Sequence, residues 1–112
     1  MPQHQPTITA SNTSAYVLVT FQPKDPEKLQ QYSAAVTSTL SQHAGEIVLK
    51  GSATLLHDSL QSTPQPHDEL ITHVILLFPT QQHAVTWYHC AEYQAITALR
   101  DAGMDSKFLL LG

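Results

Sequence analysis

The sequence predicts an α+β domain in which two helices cover one face of a four-stranded antiparallel sheet. Four segments are rich in β-branched, aromatic and leucine residues, which is typical of strands. Two further segments repeat apolar residues at helical spacing and begin at a capping residue. The segments follow one another as strand, helix, strand, strand, helix, strand, and this βαββαβ order is that of ferredoxin-like folds.

The first strand and the first helix have the clearest local signals. Residues 15–21, AYVLVTF, predict a strand. Asp25 can cap the helix that follows, because its carboxylate accepts from free backbone N–H groups, and Pro26 suits the first helical position. Gly45 is expected to end this helix, since glycine is common just after a helix C-terminus.

The remaining elements follow from shorter patterns. Thr80 can cap the second helical region, which continues or restarts at Ala91. We expect a strand over 46–51, and residues 53–57 can extend it past a kink at Gly51. After it we expect, in chain order, a loop over 58–69, a strand over 70–78, a helical region over 81–103 and a strand over 107–111.

The chain divides into one domain and one arm. Its 112 residues suit a single domain. Residues 1–14 are polar and rich in Pro, Ser and Thr, which predicts a flexible N-terminal arm. Residues 15–112 form the predicted domain.

Two of the predicted strands are apolar on both faces. In residues 70–78 and 107–111, apolar side chains occupy both alternating sets of positions. A sheet with one face in water would alternate apolar with polar residues. Because two helices cover only one face, a second copy of the chain is the simplest cover for the other. We therefore expect a homodimer.

The composition argues against several classes of partner. The chain has a net charge of −4 and only 5 basic residues, which are scattered, whereas nucleic-acid binding needs a clustered basic face. No apolar run approaches the roughly 18 residues of a membrane helix. The N-terminus lacks the basic and apolar regions of a secretory signal, and the single cysteine excludes an internal disulfide. We expect a cytoplasmic protein that binds neither nucleic acid nor membrane.

The stretch WYHCAEYQAITALR contains the only tryptophan, cysteine and arginine of the chain. In a helix from Ala91 to Ala102, Tyr93 and Arg100 lie on one side, since seven residues make about two turns. A phenol hydroxyl and a guanidinium that point the same way can hold a carboxylate or enolate oxygen. Trp87 and Tyr32 are expected to pack between helix and sheet first and to line a pocket second.

A structural role for the arginine is equally physical. Arg100 can form an ion pair with Glu46, Asp105 or a partner chain while Tyr93 packs in the core. The two interpretations differ in whether the guanidinium serves a ligand or the fold.

The histidines and the cysteine do not form a recognisable metal motif. The seven histidines include no pair three or four residues apart on a predicted helix, and no zinc motif is present. Cys90 follows His89 directly, but adjacent residues on a helix do not face each other. We therefore expect no bound metal and no cofactor.

The stretch from Phe78 to Arg100 resembles the signature of the domain-of-unknown-function 1330 family. In that family a strand ends in Phe-Pro, a helix carries Trp-Tyr, and a Ser-Pro-Glu-Tyr turn leads into a helix that ends in Arg. The residues that match in order and spacing are Phe78, Pro79, Trp87, Tyr88, Glu92, Tyr93 and Arg100. The resemblance spans about Ala15 to Gly112.

The resemblance implies a ferredoxin-like protomer that pairs through its sheet into a dimeric α/β barrel. The wider superfamily includes cofactor-independent monooxygenases, lactone isomerases and haem enzymes, so it implies no single activity. The chain departs from the family pattern at three places: Leu77 replaces a glutamate before the Phe-Pro, Lys50 replaces an arginine, and Cys90-Ala91 replaces the Ser-Pro. The missing strand carboxylate weakens any acid–base mechanism taken from the family.

Two functions remain open at this point. The first is a homodimeric small-molecule-binding protein, catalytic or not, that takes a small anionic or carbonyl compound without a cofactor. Arg100 and Tyr93 would then hold the ligand oxygen, Trp87 and Tyr32 would form walls, and His73 is a weak candidate for moving a proton. The alternative is a non-catalytic module that dimerises or binds a partner. A cavity that reaches Arg100 favours the first, and complete packing of Trp87 and Tyr93 favours the second.

Overall fold

The computed structural model describes residues 13–60 and 71–112, and it confirms the predicted order of elements. The elements are β1 (Ala15–Pro23), α1 (Pro26–Gln42), β2 (Glu46–Gly51), β3 (Thr72–Phe78), α2 (Gln81–His89), α3 (Ala91–Gln94), α4 (Thr97–Gly103) and β4 (Met104–Leu111). Most of the predicted arm and of the predicted 58–69 loop lies outside the described residues. Among the described helices, none combines the length and hydrophobicity that crossing a bilayer requires.

The sheet has the strand order β2-β3-β1-β4, and each neighbouring pair is antiparallel. The first strand of the chain is therefore central, and the last strand forms an edge. This is the four-stranded antiparallel sheet of the ferredoxin-like fold, as predicted.

The start of α1 is as predicted, and its end differs only in the residue that makes the turn. Asp25 Oδ1 accepts from the backbone N–H groups of Glu27 and Lys28 at 3.1 and 3.3 Å. At the other end, Ala44 rather than Gly45 adopts the left-handed conformation, with a φ of 61°. Gly45 was expected to end the helix and does lie just beyond the helix end, but the left-handed conformation that glycine favours there is adopted by Ala44.

Gly45 is instead required by close packing. A Cβ at this position would lie 2.5 Å from a ring carbon of Phe78, so a side chain there would collide with the core. Its N–H donates to the Leu40 carbonyl at 2.9 Å, which completes the helix terminus beyond Ala44. The glycine thus lets the end of α1 lie directly against β3.

The extension of β2 into residues 53–57 is wrong. The strand ends at Gly51, which pairs with His73, and β3 begins at Thr72. Residues 53–57 pair with no strand of the described residues, and an unpaired strand leaves its backbone groups without a ladder. Residues 53–57 are irregular and exposed.

The second helical region is broken into three helices, so the expected continuous helix from Ala91 to Ala102 is wrong. Cys90 has extended backbone angles (φ −69°, ψ 155°) and separates α2 from α3. Its Sγ accepts from the Tyr93 N–H at 3.4 Å and so caps α3. A second break at Ile96 (φ −109°, ψ 7°) precedes α4.

The core lies between the helices and one face of the sheet. Trp87 is 1% exposed, and its ring centre is 5.4 Å from that of Phe78 on β3. Its indole Nε1 donates to the hydroxyl of Thr39 on α1 at 3.0 Å. Trp87 therefore joins α2 to both α1 and the sheet, which confirms its expected place in the seam.

The other face of the sheet is also apolar. Leu18 pairs with Ile75 on one side and with Leu109 on the other, so the three side chains share one face. The core cluster takes its β1 residues from the opposite face, including Val17 and Val19. Leu109 is 42% exposed. The structure thus contains the apolar second face that the sequence predicts.

The end of α4 touches the start of α1 backbone to backbone. The Gly103 carbonyl accepts from the N–H groups of Lys24 at 2.8 Å and Asp25 at 3.2 Å. A Cβ on Gly103 would lie 2.6 Å from the backbone nitrogen of Leu29. Because the obstacle is main chain, it cannot move aside as a flexible side chain would.

We expect Gly103→Ala to lower the free energy of unfolding by about 1–3 kcal/mol, the usual cost of overpacking. Gly51→Ala is the matched control, because a Cβ there meets no atom within 4 Å. The control should change stability by less than about 0.5 kcal/mol. Urea unfolding of both variants measures the difference, and equal midpoints would contradict a packing requirement at Gly103.

Candidate functional site

Arg100 lies at the centre of a hydrogen-bonded cluster. Its Nη1 donates to the hydroxyl of Tyr88 at 3.0 Å and to that of Tyr93 at 3.2 Å. Its Nε donates to Oδ1 of Asp101 at 2.9 Å, and its side chain is 14% exposed. The carboxylate that pairs with Arg100 is thus that of the next residue, whereas Asp105 pairs with Lys24 at 3.3 Å.

Two buried phenols continue the cluster into the core. The hydroxyls of Tyr93 and Tyr32 share a hydrogen bond of 2.8 Å, and the two residues are 0% and 6% exposed. Burial raises the pKa of both hydroxyls, and for Tyr93 the bonds to Tyr32 and Arg100 offset only part of that rise. Both phenols are therefore neutral, and they connect α1 to Arg100 through Tyr93.

The break at Cys90 brings these residues together. Its extended backbone interrupts the helix between α2 and α3, and the rings of Tyr88 and Tyr93 lie 5.2 Å apart at their centres. Arg100 then reaches both hydroxyls from α4. Tyr88 entered the sequence analysis only through the family resemblance, since no helical spacing places it near a residue twelve positions later.

A cleft of about 650 Å³ reaches Arg100. We call it the Arg100 cleft; its floor is the helix-facing side of β4, and α2 and α4 form its sides. Its aromatic wall consists of Trp87, Tyr88 and Phe108. The guanidinium carbon of Arg100 lies 5.5 Å from the ring centre of Phe108 and 5.9 Å from that of Tyr88, so the cation is held among aromatic rings.

The charges of the cleft are balanced. Besides Arg100 and Asp101, the cleft is lined by Lys24 and Asp105, which form the second ion pair. Burial alone lowers the pKa of Arg100, but the hydrogen bonds to Asp101 and the two tyrosines outweigh it and raise the pKa. Arg100 therefore stays charged at any physiological pH.

One end of the guanidinium remains available to a ligand. Within the described residues, Nη2 of Arg100 has no hydrogen-bond partner, while Nε and Nη1 are engaged. No side-chain nitrogen or oxygen of the described part is both buried and without a partner, so Nη2 is not fully buried. Arg100 can thus donate to a ligand oxygen without breaking any of its existing bonds.

The other residues proposed from the sequence for the site lie in three different places. Trp87 lines both the Arg100 cleft and a smaller cavity of about 220 Å³, which Tyr32 also lines. Tyr93 lines neither and is packed between them. His73 lies apart, on the sheet face opposite the core, where its Nδ1 is 3.2 Å from the hydroxyl of Thr20.

A histidine that the sequence analysis did not select lies in the cleft instead. His89, the last residue of α2, is exposed and lines the Arg100 cleft.

The fold also assembles a possible ligand set for a metal. One donor atom from each of His43, Cys90 and Glu92 lies within 4.8 Å of the others. The expectation of no metal site depended on local spacing, and this cluster joins residues from the end of α1 and the start of α3. The absence of a local motif therefore did not exclude a site built by tertiary structure.

The contribution of the Tyr32–Tyr93 hydrogen bond to stability can be measured by substitution. Tyr32→Phe or Tyr93→Phe should each lower the free energy of unfolding by about 1–3 kcal/mol, since each leaves a buried hydroxyl without its partner. The double variant should lose clearly less than the sum of the two. Chemical denaturation of all four proteins measures the coupling, and strict additivity would show that the bond contributes nothing.

Several solved structures have the same fold as this chain. A crystal structure of RPA0582, a protein of unknown function from Rhodopseudomonas palustris, has a TM-score of 0.70 at 16% identity, over 90% of this chain and 82% of that one. SnoaB, a cofactor-independent oxygenase from Streptomyces nogalater, has a TM-score of 0.61 at 12% identity, over 89% and 92%. A conserved protein from Methanosarcina mazei Go1 has a TM-score of 0.52 at 13% identity, over 88% and 90%. At these identities the similarity shows a shared fold.

The sequence comparisons identify the family, which the structural comparisons do not. None of the curated proteins matches this chain. The sequence profile described as "Domain of unknown function (DUF1330)" matches residues 14–112, which is the predicted domain with one residue of the arm. The resemblance carried by the stretch from Phe78 to Arg100 is therefore confirmed, and the chain belongs to the DUF1330 family.

Proposed function

We propose that this protein is a homodimer that binds a small organic molecule through a carbonyl or anionic oxygen in the Arg100 cleft. The observation that carries the proposal is Nη2 of Arg100, which no described residue binds, on a guanidinium whose carbon lies 5.5 and 5.9 Å from the ring centres of Phe108 and Tyr88. The other guanidinium nitrogens are fixed by Asp101, Tyr88 and Tyr93, so the donor is held in position before a ligand arrives. Such preorganisation lowers the cost of binding.

The composition of the cleft favours a particular kind of ligand. Two carboxylates already balance its two cations, so a phosphate or another multiply charged anion would be repelled by Asp101 and Asp105. The rings of Tyr88 and Phe108 suit a flat apolar body. The ligand that fits best is an aromatic or conjugated compound with one carbonyl, enolate or phenolate oxygen at Nη2.

The same arrangement is suited to cofactor-independent chemistry. A fixed guanidinium stabilises negative charge that develops on a carbonyl oxygen as a neighbouring proton is removed. His89 lines the cleft and is the imidazole placed to accept that proton. The description of the structural neighbour SnoaB as a cofactor-independent oxygenase agrees with such a reaction class at the level of the fold.

A second function is supported by the packing of the core. Trp87 and Tyr93 are 1% and 0% exposed, so neither side chain offers a free surface to a ligand. If Arg100 serves mainly to hold α2, α3 and α4 together, the protein is a dimerisation module without a ligand. Ligand binding and stability of the same Arg100 variant separate the two functions.

For the ligand, we expect Arg100→Gln to weaken binding of a carbonyl or phenolate compound found by thermal-shift screening by about 10–100-fold. This is the equivalent of the roughly 1.5–3 kcal/mol that a hydrogen bond to a charged group contributes. Lys28→Gln is the control, because it also removes one positive charge but lies at an exposed position of α1 that does not line the Arg100 cleft. Calorimetric titration measures both variants.

Two other outcomes would contradict a ligand-binding role for Arg100. A large loss of melting temperature in Arg100→Gln, with ligand affinity unchanged in the folded protein, would assign the arginine to structure. A screen that yields no ligand for the wild-type protein would favour the dimerisation module.

For the assembly, light scattering should give twice the chain mass of 12.3 kDa at micromolar concentration. Leu109→Lys should shift the protein to the monomer, because it places a charge on the apolar outer face of the sheet, next to Leu18 of the central strand. Gln82→Lys on the exposed surface of α2 is the control. A monomeric wild-type protein, or a Leu109→Lys variant that stays dimeric, would contradict pairing through this face.

A further inference from the structure

A cluster of three potential metal ligands lies outside the Arg100 cleft. His43 is the residue that ends α1, Cys90 forms the break between α2 and α3, and Glu92 lies in the first turn of α3. One donor atom of each residue lies within 4.8 Å of the others. His43 and Cys90 are half-buried and Glu92 is exposed, so the cluster is open to solvent on one side.

The donor atoms have little else to bind. Within the described residues, the ring of His43 and the carboxylate of Glu92 take part in no hydrogen bond or ion pair. The sulfur of Cys90 accepts only the long 3.4 Å bond from the Tyr93 N–H. A single contact of this length leaves the sulfur able to bind a further partner, because sulfur has more than one lone pair.

We infer that His43, Cys90 and Glu92 form a binding site for a Zn²⁺ ion. Imidazole nitrogen, thiolate sulfur and carboxylate oxygen are the three ligand types that zinc takes in proteins, at roughly 2.0–2.3 Å. Ligand atoms around a tetrahedral ion are closer together than the 4.8 Å limit found here, and the exposed side chain of Glu92 has room to move towards an ion. Ca²⁺ and Mg²⁺ are excluded by chemistry, since they prefer oxygen ligands. A water molecule would take the fourth position.

The position of the site determines what the ion would do. It would join the end of α1 to the break at Cys90 and so add a third link beside the Thr39–Trp87 and Tyr32–Tyr93 hydrogen bonds. Tyr93 follows the ligands directly, so the ion would also fix the start of the helix that carries the Tyr32–Tyr93 bond. The site shares no lining residue with the Arg100 cleft, so metal binding and ligand binding can be measured separately.

The test uses the full chain, reduced and freed of metal, with Co²⁺ as a spectroscopic probe and Zn²⁺ as the competing ion. We expect one Co²⁺ per chain, a thiolate-to-cobalt charge-transfer absorption, and loss of that absorption when Zn²⁺ is added. Zn²⁺ should also raise the melting temperature by several degrees, because it binds only the folded arrangement.

Single substitutions identify the ligands. Cys90→Ser should abolish the charge-transfer absorption while preserving the fold, because a serine hydroxyl can cap α3 in place of the thiol. His43→Gln and Glu92→Gln should each weaken Zn²⁺ binding by about 10–100-fold or more, at least the loss that substitution of a residue supporting a metal ligand causes. His57→Gln, at an exposed histidine outside the cluster, should leave the affinity unchanged.

Each contrary result would overturn the inference. Co²⁺ bound without the charge-transfer absorption would exclude Cys90 as a ligand. Equal Zn²⁺ affinity in the wild type and Cys90→Ser, or a loss in His57→Gln as large as in His43→Gln, would place the ion elsewhere. Because Glu92 is exposed, the Zn²⁺ affinity of Glu92→Gln still tests the site even if a substitution at His43 unfolds the protein.

Discussion

The extended backbone at Cys90 is the constraint on which both candidate sites depend. It divides what would be one long helix and turns α3 and α4 back towards α2. Without this turn, Tyr88 and Arg100 would be far apart along a helix axis, since twelve residues advance a helix by about 18 Å. With it, their side chains meet at 3.0 Å. The thiol that caps the turn also belongs to the proposed zinc ligands, so one residue links the two sites.

The core tolerates its polar groups because each has a partner. The Trp87 indole donates to Thr39, whose own hydroxyl donates to the Val36 carbonyl at 2.8 Å. The hydroxyls of Tyr32 and Tyr93 share a hydrogen bond of 2.8 Å, and the Tyr93 hydroxyl also accepts from Arg100 Nη1. No buried side-chain polar atom of the described residues lacks a partner. The aromatic layer between helices and sheet is therefore specified by directional bonds as well as by shape.

Sequence reasoning succeeded where the signal is local. Asp25 and Thr80 cap their helices as predicted, because a cap depends on the few residues that follow it. It failed where the outcome depends on distant residues. Nothing near Gly45 in the sequence indicates that the Phe78 ring occupies its side-chain space. The break at Cys90 was left open, as a helix that continues or restarts at Ala91, because the proline that enforces it in the family pattern is missing here.

The same distinction applies to the sites. The pairing of Tyr93 with Arg100 was predicted from helical spacing, and the contact is present although the helix is broken. Tyr88 could not be found in this way, and His43 lies on a different helix from the other proposed zinc ligands. In each case the residues meet only because the tertiary fold brings separate segments together.

The strand order has a consequence for the way the protein acquires its structure. β1 is central, and its partner β4 is the last strand of the chain, so that Tyr16 pairs with Leu111 and Pro23 with Met104, more than eighty positions later. Until β4 arrives, one edge of the central strand has unpaired backbone groups and apolar side chains. Contacts of such long sequence separation slow folding, and open edges favour wrong pairing. The sheet is therefore completed late, and partly folded chains are the state most exposed to aggregation.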